Sequence, residues 1–248
     1  MLTLAQQWAE QFTRTHADVS VQVSGGGSGT GLAALVNGTA DLVTSSREIN
    51  AHELREARAR AQGDVIEHVV ATDALSVYVN ARNSVRRISA AQLSNVYRGR
   101  IVNWRALGGR DAPIVLYGRE SSSGTYAYFK EHVLHDLDFA PETQTLAGAA
   151  AVMRSVHLDE NAIGYGGIAT ADGVAALALE NAQGEYIAPT LESVTTGRYP
   201  LSRSLFMYTL GEPSQSSAMF LSWATSPAGQ RLVQSAGYYP LTLSAVKP

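Results

Sequence analysis

Two Ser-Gly-Thr tripeptides, Ser28-Gly29-Thr30 and Ser123-Gly124-Thr125, lie about 95 residues apart in this chain. The first stands in VSVQVSGGGSGTGLAALVNG and the second in PIVLYGRESSSGTYAYFKEHVL, each after an apolar run and ahead of a helix-like one. A strand that ends in a Gly/Ser loop and opens into a helix is a cradle for an oxyanion. Glycines let the backbone turn and approach closely, and the first N–H groups of a helix have no carbonyl partner of their own. Hydroxyl groups beside those donors suit a tetrahedral anion whose charge is spread over several oxygens. Arg119, just upstream of the second tripeptide, adds a planar cation that can hold two of those oxygens at once. A hydrogen bond to a charged group contributes roughly 1.5–3 kcal/mol, so a handful suffices for the ~8 kcal/mol of a micromolar complex. Ser45-Ser46-Arg47 forms a third loop of the same chemistry. The plainer alternatives are a helix cap for the serines and an ion pair with Glu48 or Asp41 for Arg47.

Other chemistries find less support. Gly29-Thr30-Gly31-Leu32-Ala33-Ala34 has dinucleotide-loop spacing, but no acidic residue stands where the ribose would need one, and there is no Gly-Lys-Ser/Thr for a nucleotide P-loop. His132 and His135 are one helical turn apart without an evident third metal ligand. Ser123 lacks the Gly-x-Ser-x-Gly elbow, and no histidine is tied to it by sequence, so a phosphoesterase reading is left without a base. We therefore expect no enzyme activity, no cofactor and no metal. The formal net charge of −3 gives no basic footprint for nucleic acid, and the chain has no cysteine. No apolar run approaches the ~20 residues needed to span a bilayer, and Met1-Leu2-Thr3-Leu4-Ala5 has no basic leader ahead of it. The expectation is a chain without a signal peptide, which is either cytoplasmic, a mature form, or clipped at its N-terminus.

The positioning elements follow from periodicity. Leu4, Trp8 and Phe12 predict one amphipathic helix over 2–15, and Val19, Val21 and Val23 alternate as a strand. A short helix is expected over Leu32–Val36, a strand over 41–44 and a charged helix over 51–62 that Gly63 stops. Val65–Ala71 and Leu75–Val79 are two β-rich runs, and Ser89 caps a helix that follows it. Further on come strands over Ile114–Tyr117, 162–165 and 205–209, and helices over 147–156, 214–225 and 226–235. Helix and strand alternate, which favours an α/β fold with mostly parallel strands. Any passage between two lobes would run through extended segments near 80–85 and 197–203.

Several stretches together resemble the phosphate-binding subunits (PstS type) of bacterial phosphate ABC transporters over nearly the whole chain. They are SGGGSGTGLAALVNGTADLVTSSREI, ISAAQLSNVYRGRIVNWRALGG, GRESSSGTYAYF, NAIGYGGIA, YPLSRSLFMYT and SPAGQRLVQSAGYYPL, in that order. The resemblance implies a type 2 periplasmic-binding-protein fold, with two α/β lobes, a two-segment hinge and a central ligand cleft. Lobe 1 would hold residues 1–80 and 203–248, and lobe 2 residues 81–202. It implies inorganic phosphate contacts at Ser28, Ser46, Arg119, Ser123, Gly124 and Thr125, with Gly29 and Arg47 as further candidates. It also implies delivery to a membrane permease, a periplasmic or cell-surface location and a monomer. Another tetrahedral oxyanion such as sulfate, or a scavenger or sensor without a transporter, is the alternative. Two departures stand out. The family's opening strand and Gly-Ser-x-Thr loop lie upstream of what Met1 begins, and some members carry Asp where this chain has Ser46. A carboxylate there accepts the proton of hydrogen phosphate and rejects sulfate, so selectivity is not readable from these residues.

Overall fold

The structure is a computed structural model and describes residues 1–60, 64–168 and 173–241. The chain divides into two compact units, one from Met1–Thr72 with the segment from Arg203 onward, the other Asp73–Ser202. In chain order the elements are α1 (Leu2–Thr15), α2 (Ser28–Val36), β1 (Val43–Ser45), α3 (Ala51–Arg60), β2 (Val65–Asn80), β3 (Arg87–Ile88), α4 (Ala90–Tyr97), a 3-10 turn (Trp104–Leu107), β4 (Val115–Arg119) and α5 (Gly124–His132). There follow β5 (Gln144–Leu146), α6 (Ala149–Leu158), β6 (Ala162–Gly167), β7 (Val174–Ala176), β8 (Ala178–Glu180), β9 (Tyr186–Ile187), α7 (Leu191–Thr195), β10 (Ser202–Leu210), α8 (Gln215–Thr225) and α9 (Pro227–Ser235). No helix among the described residues is long and apolar enough to cross a membrane.

In the first unit β10 runs between β1 and β2, antiparallel to β1 with Val43 opposite Tyr208. Side chains alternate across a strand, and β10 uses both faces. Leu205 and Met207 join Leu4, Trp8 and Phe12 of α1 and Phe220 and Leu221 of α8 in one core. Phe206 and Tyr208 join Leu32 and Leu35 of α2 and Val43 of β1 in another. The spacing of four in α1 thus places one apolar face on the sheet. The indole N–H of Trp8 donates to the carbonyl of Gly229 at 2.9 Å, so a fully buried ring keeps its polar atom satisfied.

In the second unit the far half of β2 pairs antiparallel with β6, Val77 opposite Tyr165, while β4 is parallel to both β6 and β5. A small sheet, β3-β8-β9, stands apart. Val152, Met153 and Val156 of α6 pack on Tyr78 and Ala162. An aromatic cluster accompanies it, in which Tyr165 stacks on Phe129 at 4.0 Å and meets Tyr97 edge-on at 5.4 Å. Gly164 lets α6 approach: a Cβ there would lie 2.7 Å from methyl groups of both Val152 and Val156.

Several expectations need correction. The sheets are mixed, not mostly parallel. β4, β5 and β6 are parallel, with α5 between β4 and β5 and α6 between β5 and β6, whereas β2 pairs antiparallel with β6 and β10 antiparallel with β1. Val19–Val23 forms no strand, although its burial alternates and Val19 and Val21 pack on the α1 core. The two runs at 65–71 and 75–79 are one strand, β2, continuous through the buried Asp73. Because it continues, residues 73–80 group with the second unit, and the crossings fall at Thr72–Asp73 and Ser202–Arg203. The helix expected from Leu32 starts at Ser28, and that expected from 147 starts at Ala149. Gly63, the expected stop of α3, lies outside the described residues.

Candidate functional site

In the first unit, Gly25-Gly26-Gly27 turns the chain into α2. Gly27 takes φ 96°, a left-handed value that side chains avoid, and caps the helix without any side-chain hydrogen bond. Ser28, Gly29 and Thr30 form the first turn, whose amide donors precede the helical ladder that begins with Gly31 N–H to Gly27 O. The structure brings Ser28 and Ser46 together. The buried Ser28 Oγ accepts from the Ser46 amide at 3.1 Å and lies 3.4 Å from the Ser46 hydroxyl. The neighbouring Ser45 is fully buried and closes the turn, donating to Arg47 O at 2.7 Å. Two short loops therefore present hydroxyl and amide groups from one place.

Arg47 pairs with neither of the carboxylates expected for it. Its guanidinium grips Glu53 with two bonds, 2.8 and 2.6 Å, and touches Glu48 only through a main-chain carbonyl. Burial pushes the Glu53 carboxyl up, but the Arg47 hydrogen bonds and the Asn50 amide outweigh it and hold the group below its ordinary value. Nor do the serines cap α3. Asn50 does, its side chain accepting from the amides of His52 and Glu53 at 2.9 Å while Glu53 accepts from the Asn50 amide. The Asn-x-x-Glu spacing carried that signal.

In the second unit, β4 ends at Arg119 and α5 begins at Gly124. Ser123 caps α5, its Oγ accepting from the amides of Thr125 (3.1 Å) and Tyr126 (3.4 Å). Its own O–H proton is not consumed by those bonds and can be given to a ligand. Gly124 and Thr125 are the first helical residues, and Ser123 and Thr125 are buried. Arg119 sits four residues ahead of the cap with its side chain only 11% exposed. Its Nε and Nη2 meet the adjacent Glu120 carboxylate at 3.2 and 2.8 Å, and its amide donates to the Tyr165 hydroxyl at 3.3 Å. Burial raises the Glu120 carboxyl, but Arg119 together with the amides of Glu120 and Gly148 outweighs it and holds the group below its ordinary value. Sequence reasoning missed Glu120 as the partner of Arg119, although adjacency was visible, and missed Tyr165, which has no local signal. A cavity of about 180 Å³ in this unit is lined by Gly118, Arg119, Tyr126, Phe139, Thr143 and Tyr165. His132 is held on its own helix, with Nδ1 3.1 Å from Tyr128 O and its ring stacked on Tyr128 at 4.0 Å. Among the described residues no three His, Cys, Asp or Glu groups cluster as metal ligands.

Each unit thus carries a helix N-terminus dressed with serine hydroxyls, and one adds a nearly buried arginine. This is the equipment of an oxyanion-binding protein built on two α/β units. A PBP superfamily domain matches residues 1–228. The chain is 33% identical to the phosphate-binding protein PstS of Pseudomonas aeruginosa, over 97% of this chain and 80% of that protein. It is also 33% identical to the Bacillus subtilis protein of the same name, over 94% of this chain and 75% of the other. A crystal structure from Clostridium perfringens, of a substrate-binding protein of a phosphate ABC transporter with bound phosphate, superposes with a TM-score of 0.87 at 27% identity, covering 97% and 96% of the two chains. The chain belongs to the PBP superfamily and, within it, to the PstS-type phosphate-binding proteins.

Proposed function

We propose that this protein binds inorganic phosphate without chemical turnover and delivers it to an ABC-type permease. The contacts are Ser28 and Ser46 from the first unit and Arg119, Ser123, Gly124 and Thr125 from the second, with the Gly29 amide beside Ser28. The observation that carries the reading is the α5 terminus, where a buried capping serine follows a nearly buried arginine at the end of one strand. The phosphate-bound relative supports the choice of anion. Arg47, committed to Glu53, serves to hold its loop and is not a ligand. The protein acts as a monomer in the periplasm or at the cell surface, where its permease is reached.

Titration calorimetry tests this. Phosphate binds with a micromolar or tighter Kd, and Arg119→Ala weakens it about 100-fold or more, since a bidentate charged pair is lost. Tight sulfate binding with no phosphate heat would overturn the ligand while sparing the fold.

A further inference from the structure

Arg119 stands where β4 parts from one of its neighbours. The pairing of β4 with β6 covers Val115 and Leu116, opposite Ala162 and Ile163, while its pairing with β5 continues through Arg119, opposite Leu146. Peptide groups two residues apart on a strand face the same edge, so Tyr117 and Arg119 turn theirs to one side of β4. Two tyrosine hydroxyls bond them. Tyr97, the last residue of α4, donates to the Tyr117 carbonyl at 3.1 Å, and Tyr165 of β6 accepts from the Arg119 amide at 3.3 Å. Both rings are fully buried and meet edge to face at 5.4 Å. Phe129 locks the pair, stacking on Tyr165 at 4.0 Å and meeting Tyr97 edge-on at 4.8 Å. Gly118, between the two bonded peptides, leaves the room: a Cβ there would lie 3.4 Å from the Tyr165 oxygen and 3.0 Å from a methyl of Thr143. Burial pushes both phenols above their ordinary range, so each keeps its proton at neutral pH and Tyr97 can donate.

We propose that Tyr97 and Tyr165 are positioning residues for phosphate binding, which act through the end of β4 to aim Arg119. Stacking alone would be served by phenylalanine, as Phe129 and Phe139 show in the same cluster. What the hydroxyls add is two bonds to the main chain of the strand end that carries the arginine. Those bonds fix the backbone from which the guanidinium extends, while Glu120 holds its far end at 3.2 and 2.8 Å. A bidentate contact demands such placement, because a planar cation must meet two oxygens in one plane. The inference rests on the reading of Arg119 as a phosphate ligand, and the tyrosines exert their effect through it.

Tyr97→Phe and Tyr165→Phe keep the rings and remove the oxygens, with the fold checked by circular dichroism. Calorimetry with inorganic phosphate should show each weakening the complex about 5- to 30-fold, since a main-chain group that loses its buried partner lets the strand end shift. In Tyr165→Phe the Arg119 amide should also exchange its hydrogen faster, read by NMR on the ligand-free protein. A double-mutant cycle separates positioning from general loosening. In the Arg119→Ala background the same two substitutions should change the phosphate Kd by less than about twofold, because the group they aim is gone. Equal losses in both backgrounds overturn the proposal. So does parental affinity in either phenylalanine variant while Arg119→Ala is impaired, or unchanged exchange at Arg119. Parental affinity in Arg119→Ala itself is a different result: it overturns the ligand assignment, and the positioning role with it.

Discussion

Arg47 and Arg119 both leave a strand and both grip a glutamate within their own unit, yet they do different work. Glu53 belongs to a cap, so the Arg47 pair ties the loop carrying Ser46 to the start of α3. Glu120 stands beside Arg119 in sequence and holds a nearly buried guanidinium in place through two hydrogen bonds. The first pair gives a pH prediction with a definite sign. Glu53 is held below its ordinary 4.5 when folded. Its stabilising contribution is therefore full above that value and is lost as pH falls through the lower folded one. In Arg47→Ala the carboxylate keeps its burial and loses its partner. Urea midpoints should then show Arg47→Ala less stable than the parent at pH 7, with the gap narrowing as pH drops below 4.5. A gap independent of pH would mean that Arg47 acts by packing alone.

Among the elements, α6 and its sheet show how one missing atom sets a layer. Gly164 is read from sequence only as part of a short apolar strand, but its Cα faces Val152 and Val156. Gly164→Ala should cost roughly 1–3 kcal/mol, measured by urea unfolding, because both valines sit in a filled core and neither can give way cheaply. A companion Val152→Ala change should recover part of that loss. The same elements show what periodicity conveys. The α1 stripe was legible because Leu4, Trp8 and Phe12 repeat at the helical period, and the Ser89 cap because its partner Gln92 is local. Val19–Val23 was misread for a physical reason. Alternation fixes which face is buried, and that face is partly buried here, but a ladder also requires a neighbouring strand that no residue in the run encodes. Asp73 misled in the opposite sense. A charged residue looks like a break, yet it is buried inside β2 and accepts from the Ile168 amide at 3.4 Å, a partner about 95 positions away. In the candidate site the helix-start serines were legible from their loops, while the ion-pair partners depended on how each loop closes.

For the molecule as a whole, two backbone crossings join units that each hold a complete core and one half of the proposed ligand set. That division makes ligand linkage a test of the whole arrangement. If phosphate draws its contacts from both loops, then unfolding either unit releases it, and its binding free energy opposes both events. At 100 times Kd the stabilisation is about 2.7 kcal/mol, which for a chain of this size moves the melting midpoint by roughly 5–10 °C. Differential scanning calorimetry of the full chain with saturating phosphate should therefore raise every transition together, whether the apo protein melts in one step or two. Ser28→Ala and Arg119→Ala, in different units, should each reduce the shift across the whole thermogram. A thermogram in which phosphate lifts one transition and leaves the other in place would assign the anion to one unit alone. The surviving effect of each substitution would then tell which, because only the unit that holds the ligand can lose its shift.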